Sequence, residues 1–471
     1  MNDIGIWGLG VMGQNLALNF ASKGYSISVY NRTEDGEDNI VSDFMDKVDS
    51  DYSIEGFTSI SEFVSSLKKD KIVLIMVKAG TILDSVIEVI VPLLSKNDII
   101  IDGGNSDYMD TLRRLEYLSE KDIDYIGCGI SGGSEGALKG PSMMPGGSFQ
   151  AWDKISSMFR DISAKDKYGN PCCEWIGKDG AGHFVKTVHN GIEYAVMQII
   201  AEVYDIQKKL LCFDNVTISD NFKNWQTDEL KNYLFEITSN LLILKDKDSN
   251  YILDSILDKS SQKGTGKNTV IASFDYNIPT PLISEAVNAR LISGFYSNRT
   301  QLNQFYKMGK ISEINKKEVE ESLYDGIYLA ILFSYLNGLE LIRESSLKNN
   351  WNIDLGNIIK VWKAGCIIQS DILYFLEDVV LDSNNSESLY LNQKIAKEVN
   401  ARESSLRKLV VNAILSGTPV SVLSSAVSFI DSLKSLQLPA NLIQIQRDFF
   451  GYHGYEKINR DGQIYHLDGE V

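Results

Sequence analysis

A glycine-rich turn near the N-terminus constrains the fold more than any other feature of this sequence. Residues Ile4 to Trp7 form a short apolar run, and Gln14 to Lys23 has apolar residues at helical spacing. Between them lies a G-x-G-x-x-G pattern, which brings backbone N–H groups and a helix N-terminus close to a pyrophosphate. The flanking segments favour a dinucleotide site over a purely structural turn. The residues predicted to hold the pyrophosphate are Gly8, Leu9, Gly10, Val11, Met12 and Gly13.

The end of the second predicted strand, Ser26 to Tyr30, indicates which dinucleotide binds. An Asp or Glu at this place would accept a hydrogen bond from the ribose 2′-hydroxyl of NAD. The sequence instead continues Asn31-Arg32-Thr33, and a guanidinium can pair with the 2′-phosphate of NADP. A solvated turn arginine is the alternative, but the residue types at this turn favour NADP.

The hydrophobic pattern divides the chain into three parts. Apolar runs such as Ile72 to Val77 and Ile99 to Asp102 are typical of strands that are buried on both faces. They predict an α/β domain over residues 1–178, with a Rossmann-type, doubly wound parallel sheet. Scarce prolines and helical periodicity predict a large all-helical domain over residues 179–440. Weak periodicity predicts an extended C-terminal tail over residues 441–471.

Charge and cysteine content exclude several classes of function. The formal net charge of −17 argues against general nucleic-acid binding, which needs a basic face. A few cationic side chains in one cleft can still bind an anionic small molecule. The five cysteines form no CxxC pair and no histidine cluster accompanies them, so we expect reduced thiols and no metal site.

We expect no membrane span and a cytoplasmic location. The apolar stretch Ile327 to Ile342 is interrupted by Asn337, Gly338 and Glu340, which favours a buried helix over a membrane span. The first predicted strand begins within a few residues of Met1, which leaves no room for a signal peptide.

Four polar residues are predicted to line one face of a helix that follows a Gly-rich turn. Lys186, His189, Asn190 and Glu193 are spaced at i, i+3, i+4 and i+7, with apolar residues between them. Such a face could be solvated or functional, and the spacing alone leaves both open.

Further polar segments follow predicted strands or lie in loops. Asp102 to Ser106 and Ser131 to Gly133 come at the carboxyl ends of two strands, where doubly wound sheets bind ligands. Lys263 to Lys267 (KGTGK) is a basic loop that could reach a phosphate or be a solvated turn. Arg290 lies in the helix-like segment Ser284 to Leu291.

Together these motifs resemble the β-hydroxyacid dehydrogenase superfamily, which has a Gly-rich dinucleotide loop, an Asp-Gly-Gly-Asn strand end and a G-x-x-G-x-G-x-x-x-K segment. In this sequence the last of these ends at Lys186. Three segments narrow the resemblance to the 6-phosphogluconate dehydrogenase family, and the resemblance extends over nearly the whole chain. They are Lys186 to Tyr194 (KTVHNGIEY), Gln262 to Lys267 (QKGTGK) and Gln446 to Tyr455 (QRDFFGYHGY).

The resemblance implies NADP-dependent oxidative decarboxylation of 6-phosphogluconate to ribulose 5-phosphate, in a homodimer with shared active sites. Lys186 would be the general base and then the general acid at the C3 oxygen. Glu193 would protonate C1, and Asn190 would orient the hydroxyls. Further cofactor contacts would be Asn31, Arg32 and Thr33 at the 2′-phosphate, and Val77, Lys78, Ala79 and Asn105. The substrate would contact Asn105, Ser131, Gly132, Gly133, His189, Asn190, Tyr194, Lys263 and Arg290, together with Arg447 and His453 from the tail of the other subunit.

The sequence departs from the family pattern at several places, including Leu138-Lys139 and Ala195-Val196. Asn268 follows Gly-Thr-Gly-Lys where the family usually has an aromatic residue, and Ser134 stands where an acid is common. The change at Asn268 bears on the packing of the KGTGK loop and hence on substrate affinity.

Three alternative functions fit the fold less well. A hydroxyisobutyrate-type dehydrogenase of the same superfamily would be much shorter and would lack Lys263, Arg290 and the cationic tail residues. A non-catalytic NADP-binding protein would not need an intact Lys186 and Glu193. A purely structural protein would leave the whole set of motifs unexplained.

Overall fold

The structure is a computed structural model that describes residues 1–32, 39–227, 229–262, 264–306, 314–383, 387–458 and 462–467. The predicted site residues Thr33 and Lys263 lie outside these ranges. The strands are β1 (Ile4–Trp7), β2 (Ile27–Tyr30), β3 (Ile54–Phe57), β4 (Ile72–Ile75), β5 (Ile99–Asp102), β6 (Asp124–Ser131), β7 (Ser142–Gly147), β8 (Tyr455–Glu456) and β9 (Ile464–Tyr465). The α-helices are α1 (Val11–Ser22), α2 (Ile40–Met45), α3 (Ile60–Ser65), α4 (Thr81–Ile90), α5 (Tyr108–Ser119), α6 (Gly133–Lys139), α7 (Phe149–Ile162), α8 (Ala181–Ile206), α9 (Asn215–Asn224), α10 (Tyr233–Leu242), α11 (Ile252–Ser255), α12 (Thr265–Asp275), α13 (Pro281–Gly294), α14 (Tyr296–Phe305), α15 (Lys316–Asn349), α16 (Leu355–Trp362), α17 (Ile372–Asp382), α18 (Gln393–Ser416), α19 (Ser421–Lys434) and α20 (Ala440–Gly451).

The N-terminal strands form one seven-stranded sheet in the order β3-β2-β1-β4-β5-β6-β7. All neighbours are parallel except β6 and β7. Every residue of β1, β2 and β5 is buried, which explains the continuous apolar runs in the sequence. Because the strand order reverses between β1 and β4, the carboxyl ends of these strands open a crevice for a ligand. The predicted Rossmann-type doubly wound sheet is confirmed.

Two strands of this sheet were not predicted from the sequence. The edge strand β3 (IEGF) has exposed residues at its centre and therefore lacks a continuous apolar run. Strand β7 contains Pro145 and two glycines, residue types that usually interrupt strands. It lies at the other edge, where a missing N–H is tolerated, and it pairs antiparallel with β6.

Two long helices, α8 and α15, form the centre of the helical part. They pack against each other, and α18 covers another side of α15. By length and composition α15 could cross a membrane, but 94% of its apolar window is buried inside the protein. It is therefore the core helix that was predicted for Ile327 to Ile342.

The predicted tail contains more regular structure than its sequence pattern indicated. Helix α20 is followed by the short antiparallel pair of β8 and β9. The buried Asp448 carboxylate joins the two, since it accepts hydrogen bonds from the N–H groups of Gly454 and Leu467 at 2.6 and 2.8 Å. Large apolar side chains remain exposed on this segment, including Leu442, Ile443, Phe449, Phe450 and Ile458.

Candidate functional site

The glycine loop between β1 and α1 presents an open backbone surface at the crevice. A Cβ atom at Gly13 would lie 1.9 Å from the carbonyl oxygen of Gly8, so the loop packs this closely only with glycine there. A Cβ atom at Gly10 would have no heavy atom within 4 Å, which leaves space at the N-terminus of α1. The Asn31 side chain holds the loop against β2, because its Oδ1 accepts a hydrogen bond from the Leu9 N–H at 3.0 Å.

These two glycines give contrasting predictions. Gly13→Ala is expected to lower the free energy of unfolding by about 2 kcal/mol or more, because the methyl group overlaps the backbone. Gly10→Ala should leave the ligand-free stability unchanged but remove the stabilisation by NADP, since its methyl group would enter the space predicted for the pyrophosphate. Urea unfolding with and without NADP measures both effects. Equal ligand-free stability of Gly13→Ala and the wild type would contradict this description of the loop.

A cleft of about 650 Å³ separates the glycine loop from the helical part. The structure brings together here most of the residues that were predicted to contact the cofactor. Asn31 and Arg32 follow β2 directly, and Arg32 is exposed. The cleft is lined by Gly10, Val11, Met12, Gly13, Met76, Val77, Lys78, Ala79, Gly103, Gly104, Asn105, Ile130, Thr265 and Asn268.

The predicted polar face of α8 is buried rather than solvated. Lys186 Nζ lies 2.8 Å from Asn190 Oδ1 and 3.4 Å from His189 Nδ1. The other ring nitrogen of His189 lies 3.1 Å from the hydroxyl of Ser131, at the end of β6. The side chains of Lys186, His189, Asn190 and Ser131 are buried. That of Glu193 is partly buried. The structure thus joins the Ser131 strand end to the lysine helix, two segments that the family resemblance assigns to the same end of the substrate.

The pKa values of this cluster are shifted by its burial. Burial lowers the pKa of Lys186 to about 8, although Glu193 and Cys366 partly oppose the shift. Burial, followed by the nearby charge of Lys186, lowers the pKa of His189 well below its usual value. Burial raises the pKa of Glu193, against the opposing charges of Lys186 and Arg290. Burial therefore favours the neutral form of both side chains, an amine on Lys186 and a carboxylic acid on Glu193.

The loop that carries Asn105 is fixed by Asp102, the last residue of β5. The buried Asp102 carboxylate accepts hydrogen bonds from the hydroxyls of Ser106 and Tyr125 at 2.6 and 3.0 Å. The His183 ring, one turn before the lysine on α8, lies 3.2 Å from the Asp102 carbonyl oxygen. These contacts fix the position of the Asn105 loop relative to α8, the helix that carries Lys186.

Tyr194 and Arg290 form a second group beside the lysine cluster. The guanidinium carbon of Arg290 lies 3.4 Å from the centroid of the Tyr194 ring. Arg447 and His453 lie in the tail, where they contact Gln444 and Phe450. Within one chain, the described residues provide no hydrogen bond or ring contact between these two tail residues and the lysine cluster.

Of the cysteines, Cys366 influences this site directly, because its thiol opposes the lowering of the Lys186 pKa. All five cysteines are free thiols, and only Cys212 is exposed. Burial raises the pKa of Cys172 to about 11. In the described part of the chain, no group of three or more His, Cys, Asp or Glu side chains could hold a metal ion.

Comparison with known proteins identifies the family. Residues 3–177 match the NAD binding domain of 6-phosphogluconate dehydrogenase, and residues 182–468 match the C-terminal domain of 6-phosphogluconate dehydrogenase. The chain belongs to the 6-phosphogluconate dehydrogenase family. The resemblance found in its motifs is thereby confirmed.

Individual relatives match over the full length of the chain. The decarboxylating 6-phosphogluconate dehydrogenase of Staphylococcus epidermidis is 42% identical over 98% of both chains. The mouse (Mus musculus) protein of the same name is 41% identical over 99% of this chain and 96% of its own. A solved structure of Plasmodium falciparum 6-phosphogluconate dehydrogenase matches with a TM-score of 0.94 and 38% identity, over 98% of this chain and 99% of that one. That protein is described with its cofactor NADP+ and with its substrate 6-phosphogluconate.

The sequence motifs missed two residues of the cofactor cleft, Thr265 and Asn268. Both lie on α12, and the KGTGK segment at its start was predicted either to reach a phosphate or to be a solvated turn. Their place in the cleft depends on how α12 packs on α8, a long-range contact that local spacing does not encode. The sequence pointed to Asp102 as part of a ligand-binding segment. It did not reveal that the Asp102 carboxylate fixes the loop or that His183 contacts Asp102.

Proposed function

We propose that this chain catalyses the oxidative decarboxylation of 6-phosphogluconate to ribulose 5-phosphate and CO2, with reduction of NADP to NADPH. The observation that carries the proposal is the acid–base pair on α8. A buried lysine with a lowered pKa lies about two turns before a glutamate with a raised pKa. The solved relative that is described with NADP+ and 6-phosphogluconate supports the same chemistry.

The residues of the cleft fit NADP. The open space at Gly10 and the N-terminus of α1 suit a pyrophosphate. Arg32 and Thr33 would bind the 2′-phosphate, and Asn31 would hold the loop beside it. Bound NADP supplies the hydride acceptor. The remaining contacts would come from the glycine loop, from Val77, Lys78 and Ala79, and from Asn105.

Lys186 would remove the proton of the C3 hydroxyl while the hydride leaves C3. Only a neutral amine can accept this proton, and burial makes the neutral form accessible near pH 8. Asn190 accepts a hydrogen bond from Lys186 at 2.8 Å and would aim the amine at the hydroxyl. Asn105 would orient the sugar acid from the loop that follows β5, the strand beside β6.

The charged Lys186 would then assist loss of CO2 and Glu193 would complete the reaction. The oxidised substrate is a β-keto acid, and its carbon–carbon bond breaks more easily when an ammonium polarises the ketone oxygen. The resulting enediol must gain a proton at C1. Glu193 can hold that proton because burial raises its pKa.

Other residues would bind the two ends of 6-phosphogluconate. Ser131, Gly132, Gly133, His189 and Asn190 would hold the sugar-acid end. His189 is buried with a strongly lowered pKa, so it would act as a neutral hydrogen-bonding group. Tyr194, Lys263 and Arg290 would hold the 6-phosphate.

We also propose a homodimer in which the tail of each subunit completes the site of the other. The exposed apolar side chains of α20 support this assembly, because they need a partner to cover them. Arg447 and His453 would thus reach the substrate phosphate of the partner. The NADP-binding domain would be residues 1–178. The substrate and dimerisation domain would be residues 179–440, and the exchanged tail would be residues 441–471. The acidic net charge and the free thiols fit a cytoplasmic enzyme without nucleic-acid or membrane partners.

The pH dependence of turnover should report Lys186. The value of kcat/KM is expected to rise with pH through a midpoint near 8, because the lysine must lose its proton first. In Glu193→Gln the midpoint for pre-steady-state NADPH formation should move to lower pH, since the glutamate charge raises the pKa of the lysine. An unchanged midpoint would contradict the assignment of the rise in activity with pH to deprotonation of Lys186.

Subunit mixing tests the shared active site. Lys186→Met and Arg447→Ala should each have little activity alone, the second through a raised KM for 6-phosphogluconate. After denaturation and joint refolding, about a quarter of the wild-type activity should return, because half of the dimers are mixed and one site in each is intact. Activity equal to the sum of the two variants would mean that each tail serves its own chain or none.

The substrate preference tests the proposed reaction as a whole. Purified protein should reduce NADP with 6-phosphogluconate and fail to do so with gluconate or 3-hydroxyisobutyrate, which lack the phosphate. Reduction with 3-hydroxyisobutyrate alone would favour the alternative dehydrogenase. Binding of NADP without reduction by any of these acids would favour a non-catalytic protein.

A further inference from the structure

Helix α12 belongs to the helical part of the molecule but forms one wall of the dinucleotide cleft. Its residues Thr265 and Asn268 line the same cleft as Gly10 and Met12 of the glycine loop. A ligand in this cleft therefore contacts both parts of the chain.

The position of α12 is fixed by its packing on α8. The Thr269 side chain is completely buried, and its hydroxyl donates a hydrogen bond to the Thr187 carbonyl oxygen at 2.7 Å. Thr187 directly follows the proposed catalytic lysine. Since successive helix residues are rotated by about 100°, anchoring Thr269 on α8 turns Asn268 away from that contact and towards the cleft.

The side-chain amide of Asn268 is available to a ligand in this position. Its backbone N–H bonds the Gly264 carbonyl oxygen at 2.9 Å, as expected in a helix. Its side chain is half-buried, and it makes no hydrogen bond to any other residue that the structure describes. An amide on a rigid helix at the edge of a ligand cleft is thus ready to bond a ligand without first breaking another bond.

We propose that Asn268 donates a hydrogen bond from its side-chain amide to an oxygen of the ribose–pyrophosphate part of NADP. The inference rests on the proposed NADP site and adds a specific contact from the helical domain to it. Asn268 is then a cofactor-binding residue, and α12 holds the dinucleotide against the glycine loop from the opposite wall.

The test measures NADP binding in the absence of substrate, by titration calorimetry. Asn268→Leu keeps the size of the side chain and removes the donor, so the Kd for NADP should rise about fivefold. Asn268→Asp places a negative charge beside the anionic dinucleotide, and the Kd should rise about tenfold or more. The matched control is Asn288→Leu, the same change at an exposed position of α13 outside the cleft, which should leave the Kd unchanged. Thermal unfolding of each variant verifies its fold.

Two results would overturn the inference. One is an NADP Kd that is unchanged in both Asn268 variants. The other is an effect on the Kd for 6-phosphogluconate alone, which would make Asn268 a substrate contact. Because binding is measured without turnover, a wild type that binds NADP and fails to oxidise 6-phosphogluconate would contradict the proposed function while leaving this test intact.

Discussion

Replacing Lys186 with methionine is expected to lower turnover by about 10³-fold or more while NADP binding remains at the wild-type level. The proposed mechanism uses this amine twice, as proton acceptor during hydride loss and as the cation that polarises the ketone. Methionine has a similar length and no ionisable group, so it removes both functions with little change in packing. NADPH formation and NADP titration measure the two expected results.

The same substitution should stabilise the fold at neutral pH. The pKa of Lys186 is lowered from 10.5 to about 8, so the folded protein disfavours the charged lysine. Below about pH 8 this cost is fully present, and it falls as the pH rises towards the unfolded value of 10.5. Lys186→Met should therefore gain roughly 1–3 kcal/mol in unfolding free energy at pH 7, with a smaller gain at pH 10.

The matched control is Lys223→Met, the same change at an exposed position of α9. It should alter neither turnover nor the pH dependence of stability. Turnover of Lys186→Met at the level of this control would contradict the assignment of the base. A loss of stability at pH 7 would show that the lysine is charged and well paired in the folded protein.

The second large effect is expected from Arg32→Glu. The guanidinium would pair with the 2′-phosphate of NADP, and a carboxylate at the same place would repel it. The KM for NADP should rise roughly 10²-fold. The KM for NAD should fall or stay the same, because a carboxylate at this place can bond the ribose 2′-hydroxyl.

NAD serves as the internal control for Arg32→Glu. A variant that loses both cofactors equally has a damaged loop rather than an altered preference. The glycine loop should keep its structure in Arg32→Glu. Its hydrogen bond to β2 runs from the Leu9 N–H to the Asn31 side chain and does not involve the Arg32 side chain. An unchanged ratio of the two KM values would contradict the proposed contact with the 2′-phosphate.

Much of the fold was predictable because the strongest signals are local. Strands β1 and β5 are buried on both faces, and their apolar runs fix their bounds in the sequence. The glycine loop and the polar face of α8 are also local patterns. What the pattern of α8 could not decide was whether the face is solvated, because that depends on β6 packing against it through Ser131 and His189.

The features that were missed depend on distant contacts. Strand β7 has the residue types of a loop and becomes a strand only by pairing with β6. The place of Asn268 follows from the packing of α12 on α8, and the fixed Asn105 loop follows from bonds to the buried Asp102 carboxylate. In the tail, the weak periodicity predicted an extended segment, but the structure has the helix α20 there.

The central proposal is the coupling of oxidation to decarboxylation at one site, and the stoichiometry of the products tests it most directly. Purified protein would be incubated with NADP and 6-phosphogluconate labelled at C1, and NADPH and labelled CO2 would be measured together. The proposal predicts equal amounts of the two products in the wild type, and a fall of about 10³-fold or more in both products in Lys186→Met. NADPH without CO2, or no NADPH from a folded protein that binds NADP, would contradict it.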